Sequence, residues 1–180
     1  MIFAPSPNQI QWRDAEEIAR KAPMDAALVA VLVNPNPDDV ARVRSIFADP
    51  ILQLSGDESP DFARSVGGRV IKAVHIGEDS VAEIEERCDA FAPALPLLDT
   101  KVDGMYGGTG QTFEWSRISG VARWRPLVVA GGLTPANVAE CVRAVRPFGV
   151  DVRSGVETSG RKDRVKIRQF IQMVRETDAA

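Results

Sequence analysis

Six short apolar runs recur along the chain, each followed by a longer stretch whose apolar residues return at helical spacing, and this alternation restricts the available folds more than any other feature. The runs fall at 27–33, 51–54, 70–74, 95–98, 127–130 and 150–152, and the helix-like stretches at 14–21, 38–48, 60–66, 79–90, 113–119, 135–145 and 164–175. The runs are apolar almost throughout, broken only by Gln53, Lys72 and Asp151, instead of alternating with polar residues. That pattern belongs to strands covered on both faces, which means a parallel sheet with helical crossovers. Residues 1–4 read as the tail of a seventh strand, and Thr134-Pro135 as a helix start, a capping hydroxyl followed by proline. No polar linker or low-complexity segment divides the 180 residues, so a single domain over 1–180 is expected.

Seven strand–helix steps, with glycine-rich loops gathered toward the C-terminus, suit a (β/α)8 barrel that lacks one unit. Periodicity alone leaves barrel and open sheet undecided. Charge limits the partners: 22 Lys and Arg against 25 Asp and Glu leave a net charge of −3, which argues against nucleic acid or an anionic membrane. Phosphate binding survives that argument, because backbone amides hold anions without bulk positive charge. No apolar run approaches the roughly 18 residues of a membrane span. The N-terminus lacks the basic flank and apolar stretch of a signal peptide, and Cys88 and Cys141 form no disulfide framework, so a cytoplasmic protein is expected.

Three strand ends carry the chemistry-bearing loops. Asp99 closes Leu95-Pro96-Leu97-Leu98 and is followed by Gly107-Gly108-Thr109-Gly110. Gly131-Gly132 follows the fifth run, and Arg153-Ser154-Gly155 the sixth. Glycines let amides turn toward an anion, and they also serve ordinary turns. Asp99 stands where a barrel places a proton donor, or it caps its loop. Asp151 could accept a hydrogen bond from a sugar hydroxyl, or brace its own loop. The lone histidine, His75, has no clustered ligand types beside it, so neither a metal nor a cofactor is implied. Cys88 and Cys141 fall within helices and read as packed residues, and the mixed charges of 161–168 as a solvated helix start.

In these loops the chain resembles phosphoribosylanthranilate isomerase, a family of tryptophan biosynthesis. The resemblance rests on Leu97-Leu98-Asp99-Thr100, Tyr106-Gly107-Gly108-Thr109-Gly110, Thr112-Phe113-Glu114-Trp115, Ala130-Gly131-Gly132-Leu133, Arg146-Pro147-Phe148-Gly149-Val150-Asp151-Val152 and Ser154-Gly155-Val156-Glu157, with Leu52-Gln53-Leu54 and Gly56-Asp57-Glu58 earlier. It implies a (β/α)8 barrel that performs an Amadori rearrangement of a small phosphosugar. Asp99 would be the general acid that opens the ribose ring, and Gly108, Gly110, Gly131, Gly132, Asp151, Ser154 and Gly155 would hold substrate and phosphate. Members of the family begin with a strand bearing Lys-Ile-Cys-Gly, whose cysteine is the general base. Here Met1 aligns inside the second strand, so a barrel without its first βα unit and without that cysteine is expected. Self-association through the open barrel edge, or a frayed start of the chain, follows from it. Asn8 stands for the family arginine and Ser55 for the histidine of Gln-Leu-His-Gly, and Arg153 replaces a residue that is often small. The alternative is a non-catalytic phosphosugar-binding relative that docks to a partner.

Overall fold

The structure is a computed structural model and describes residues 9–99 and 115–179. The expected strand at 1–4, Asn8, and the loop with Gly108 and Gly110 lie outside the described residues. The chain divides into two compact units, 1–73 with 89–96 and 74–88 with 97–180.

The first unit contains α1 (Trp12–Lys21), β1 (Val29–Leu32), α2 (Pro37–Ile46), β2 (Ile51–Leu54), α3 (Pro60–Ser65) and the first residues of β3 (Val70–His75). Its strands are parallel, with Val29 opposite Ile51 and Leu52 opposite Val70. Both helix starts have local causes: Asn36 caps α2 reciprocally with Asp39 ahead of Pro37, and Ser59 caps α3 ahead of Pro60. Ala30, Leu32, Leu52 and Leu54 point into one apolar cluster with Val40, Val43 and Ala63 of the helices.

The second unit contains the end of β3, α4 (Val81–Ala90), most of β4 (Leu95–Asp99), α5 (Trp115–Ala122), β5 (Val128–Ala130), α6 (Val138–Val145), β6 (Gly149–Val150), a 3-10 turn (Ser154–Val156), the hairpin strands β7 (Glu157–Thr158) and β8 (Arg161–Lys162), and α7 (Arg164–Asp178). Leu97 lies opposite Val128, Asp99 opposite Ala130, and Val129 opposite Val150, all parallel. Leu98, Ile118, Leu127, Val129, Val138 and Cys141 are fully buried in its core. Each such aliphatic side chain contributes on the order of 1.5–3 kcal/mol.

Sheet neighbours follow chain order, β1-β2-β3-β4-β5-β6. A doubly wound sheet reverses its order at a switch point, so the unbroken succession decides the question periodicity left open in favour of barrel winding. Among the described residues no helix is long and apolar enough to cross a membrane.

Three details differ from expectation. Residues 135–137 form a turn in which the Thr134 hydroxyl accepts from the Ala136 amide, and α6 begins only at Val138. It ends with Arg146 in the left-handed region (φ 52°), just before Pro147. The last sheet strand stops at Val150, although Asp151 still donates its amide to Val129 at 2.8 Å. Third, residues 161–168 are mostly exposed, as expected of a solvated helix start, but a two-residue hairpin strand, Arg161–Lys162, precedes the helix. Lys162 reaches the Arg153 carbonyl (2.7 Å) and Glu157 (2.9 Å), Lys166 donates to the Glu157 carbonyl (2.6 Å), and Asp163 caps α7.

Candidate active site

Strand pairing in the second unit brings β3, β4, β5 and β6 to one set of carboxyl ends. The Ile76 amide donates to the Asp99 carbonyl at 3.1 Å, Asp99 lies opposite Ala130, and Asp151 bonds Val129, so His75, Asp99, Gly131 and Asp151 leave neighbouring strand ends. These are the positions from which parallel barrels build their sites. The Asp99 side chain is 26% exposed, and the His75 Nδ1 stands 3.7 Å from its Oδ2. Asp151 senses the same surroundings. Desolvation pushes its carboxyl above the usual aspartate range and the charge of Asp99 adds to that, against the pull of Lys162, the Val152 amide and Arg153. A carboxyl whose proton affinity is raised by burial and by a neighbouring carboxylate, as at Asp151, suits proton transfer.

The glycine loops meet beside them. Gly131 (φ 90°) and Gly132 (φ 62°) take left-handed backbone that disfavours a side chain. Asn137 fastens this loop, donating to the Gly132 carbonyl at 3.1 Å and accepting from the Thr134 amide at 2.8 Å. A Cβ on Gly155 would lie 1.8 Å from the Leu133 carbonyl oxygen, so only glycine lets the loop after β6 pass this close to the loop after β5. Among the described residues no backbone carbonyl takes up the amide of Gly132. The expected residues Asp99, Gly131, Gly132, Asp151, Ser154 and Gly155 therefore sit on consecutive strand ends of one unit.

Both cysteines are buried in helices as expected, Cys88 in α4 and Cys141 in α6. Burial pushes the Cys141 thiol up to about 12, with Glu140 adding to it. Among the described residues no group of His, Cys, Asp and Glu is arranged to hold a metal.

The first unit carries a feature the sequence reading missed. Lys72 of β3 and Glu58 are buried together at 2.8 Å, their side chains 4% and 2% exposed. Lys72 Nζ also donates to the carbonyls of Gly56 (2.6 Å) and Leu54 (3.3 Å) and faces the Phe91 ring at 5.3 Å. Glu58 accepts from the amides of Asn34 (2.9 Å) and Gly56 (3.0 and 3.1 Å). Burial alone would raise the Glu58 carboxyl. The hydrogen bond and charge of Lys72, with the Asn34 amide, outweigh that and hold it below its ordinary value. The available signal was a lysine inside an otherwise apolar strand, which demands a buried counter-charge. Ser55, beside this network, donates its amide to Leu32 and accepts from Gln53 on its hydroxyl.

The sequence profile of N-(5'phosphoribosyl)anthranilate (PRA) isomerase matches residues 1–173. The N-(5'-phosphoribosyl)anthranilate isomerase of Desulforudis audaxviator is 42% identical over 175 residues, covering 97% of this chain and 85% of that protein. The enzyme of the same name from a Roseiflexus species is 45% identical over 187 residues, with the same coverage. The crystal structure of phosphoribosyl anthranilate isomerase from Thermotoga maritima superposes with a TM-score of 0.82 at 38% identity, over 93% of this chain and 82% of that one. A phosphoribosyl anthranilate isomerase in complex with reduced 1-(o-carboxyphenylamino)-1-deoxyribulose 5-phosphate superposes with a TM-score of 0.78 at 34% identity, over 93% of this chain and 81% of that one.

Proposed function

The chain belongs to the N-(5'-phosphoribosyl)anthranilate isomerase family, and from that premise we propose that it binds the phosphoribosyl anthranilate of tryptophan biosynthesis, with Asp99 as general acid. One observation carries this reading: Asp99 and Asp151 leave neighbouring strand ends, coupled through their charges, beside two glycine loops. Asp99 donates a proton to the ribose ring oxygen, and the C1′–oxygen bond breaks as the anthranilate nitrogen lone pair forms an iminium. Loss of the C2′ proton then gives an enolamine, which tautomerises to the 1-amino-1-deoxyketose. Asp151 accepts a hydrogen bond from a sugar hydroxyl. The amides of Gly131, Gly132, Ser154 and Gly155 receive the phosphate, together with Gly108 and Gly110 beyond the described residues. No cofactor takes part in this scheme, and the setting is a cytoplasmic biosynthetic pathway. The single-domain organisation over 1–180 is part of the same reading. So is self-association through the open barrel edge.

The C2′ proton goes to neither cysteine of this chain. Cys88 and Cys141 are buried in helices, and a thiol raised to about 12 supplies no thiolate near neutrality. Asn8 and Ser55, in place of the family's arginine and histidine, favour a second reading, a phosphosugar-binding relative without turnover that docks to a partner. One experiment separates them: isomerase turnover of the chain and of Asp99→Asn, beside calorimetric binding of the reduced product analogue. As an enzyme, the variant loses about 10²–10⁴ in kcat while the analogue binds nearly as before. A loss under about threefold assigns Asp99 to loop support. Binding without any turnover selects the second reading.

A further inference from the structure

His75, which sequence alone ties to neither a metal nor a cofactor, stands at the mouth of the proposed site. Its backbone is held from two sides. The Arg87 guanidinium of α4 donates to the His75 carbonyl at 2.8 Å and to Asp79 Oδ1 at 3.1 Å, while the Gly77 amide donates to Asp79 Oδ2 at 2.8 Å. On the other side the Ile76 amide is tied to the Asp99 carbonyl. The loop that leaves β3 is thereby clamped to α4 and β4. The imidazole is 63% exposed and turns Nδ1, not Nε2, toward Asp99 Oδ2 at 3.7 Å.

We propose that His75 is a positioning residue for Asp99: its Nδ1–H holds one carboxyl oxygen so that the other faces the sugar ring oxygen. This rests on the assignment of Asp99 as general acid. A carboxyl that donates from a fixed point must be kept from rotating, and a donor on its second oxygen does that. The 3.7 Å separation exceeds a hydrogen bond, as catalytic contacts commonly do before ligand arrives and tightens them. The same donor offsets the charge left on Asp99 after it gives up its proton, beside a carboxylate that already feels it. Asp151 has its own cations in Lys162 and Arg153, so each carboxylate of the pair faces a positive or donor group on its own side.

His75 is the only histidine in the chain, so the imaging of one imidazole by 15N NMR of the labelled full chain is unambiguous. A neutral imidazole in water carries its proton mainly on Nε2, and a partner at Nδ1 reverses that. With the reduced product analogue bound, the expected spectrum of the neutral ring shows Nδ1 protonated, and Asp99→Ala under the same conditions returns it to the solution pattern. A solution pattern in the unmodified chain, or no change in Asp99→Ala, overturns the contact whether or not the chain turns over. Kinetics give the second arm. His75→Leu lowers kcat about tenfold with KM nearly constant. His75→Asn, whose amide nitrogen occupies the Nδ1 place, recovers most of the loss, and His75→Gln does not. Equal losses in the Asn and Leu variants overturn the positioning role. Full activity in Asp99→Asn instead removes the general acid itself, so the two failures are told apart.

Discussion

Replacing Lys72 with methionine removes a cation while leaving the volume of the site nearly filled. Glu58 then keeps two backbone amide donors, from Asn34 and Gly56, but loses the Lys72 cation at 2.8 Å, with a side chain 2% exposed. The carbonyls of Leu54 and Gly56 lose a donor as well. Breaking a buried pair from one side costs about 3–5 kcal/mol, because an uncompensated charge remains in low dielectric. Against a total stability of about 5–15 kcal/mol this is a large share. With a urea slope near 2 kcal/mol per molar, the midpoint falls by about 1.5–2.5 M. The dependence on pH separates this cause from a mere packing defect. In the unmodified chain Glu58 is held below its ordinary 4.5, so its contribution to stability is complete above that value and is lost as pH falls through the folded value. Without Lys72 the buried carboxylate favours protonation, its folded value moves above the ordinary one, and acid restores stability instead of removing it. The double variant Lys72→Met, Glu58→Leu recovers most of the loss. Urea denaturation at several pH values is the assay. A loss under about 1 kcal/mol, or a variant whose acid sensitivity parallels the unmodified chain, refutes the reasoning.

Gly155→Ala places a methyl 1.8 Å from a backbone carbonyl oxygen, so the loops after β5 and β6 must part; a stability loss of about 1–3 kcal/mol by urea denaturation and weaker binding of the reduced product analogue are expected. Gly132→Ala meets no atom within 4 Å and should cost only the backbone strain of its φ of 62°, about 1–2 kcal/mol. Both thiols should resist a water-soluble disulfide reagent near pH 8 in the folded protein and react promptly in denaturant, since Cys88 and Cys141 are 1% and 0% exposed. Prompt reaction of the folded chain would show that α4 or α6 opens readily.

Much of the scaffold was legible because its signals are local. Asn36-Pro37 and Ser59-Pro60 start helices through contacts within one turn, and the apolar runs announce strands buried on both faces. The start of α6 was misplaced for a local reason too: Thr134-Pro135 is compatible with both a helix start and a turn, and the Asn137 side chain ties 132 and 134 into the turn. The short hairpin of β7 and β8 carries only two residues per strand, too few for periodicity to register. The site divides along the same line. Asp99, Asp151 and the glycines were found because each closes a strand or lies in the loop that follows one. The meeting of His75 with Asp99, and of Lys72 with Glu58, depends on which strands are neighbours. That information lies in pairing across the sheet and not in any window of sequence.

The order of the sheet also bears on how the molecule is made. Every strand from β2 to β6 pairs with the one synthesised just before it, so the loops to be closed are short and no strand must wait for a distant partner. A growing chain leaving the ribosome can add each strand and its helix to an edge already present. A doubly wound sheet, by contrast, must hold an early strand open until the chain doubles back past the switch point. Here vectorial synthesis and sheet assembly run in the same direction, and the apolar edge that is exposed at any moment is the one the next segment to emerge will cover.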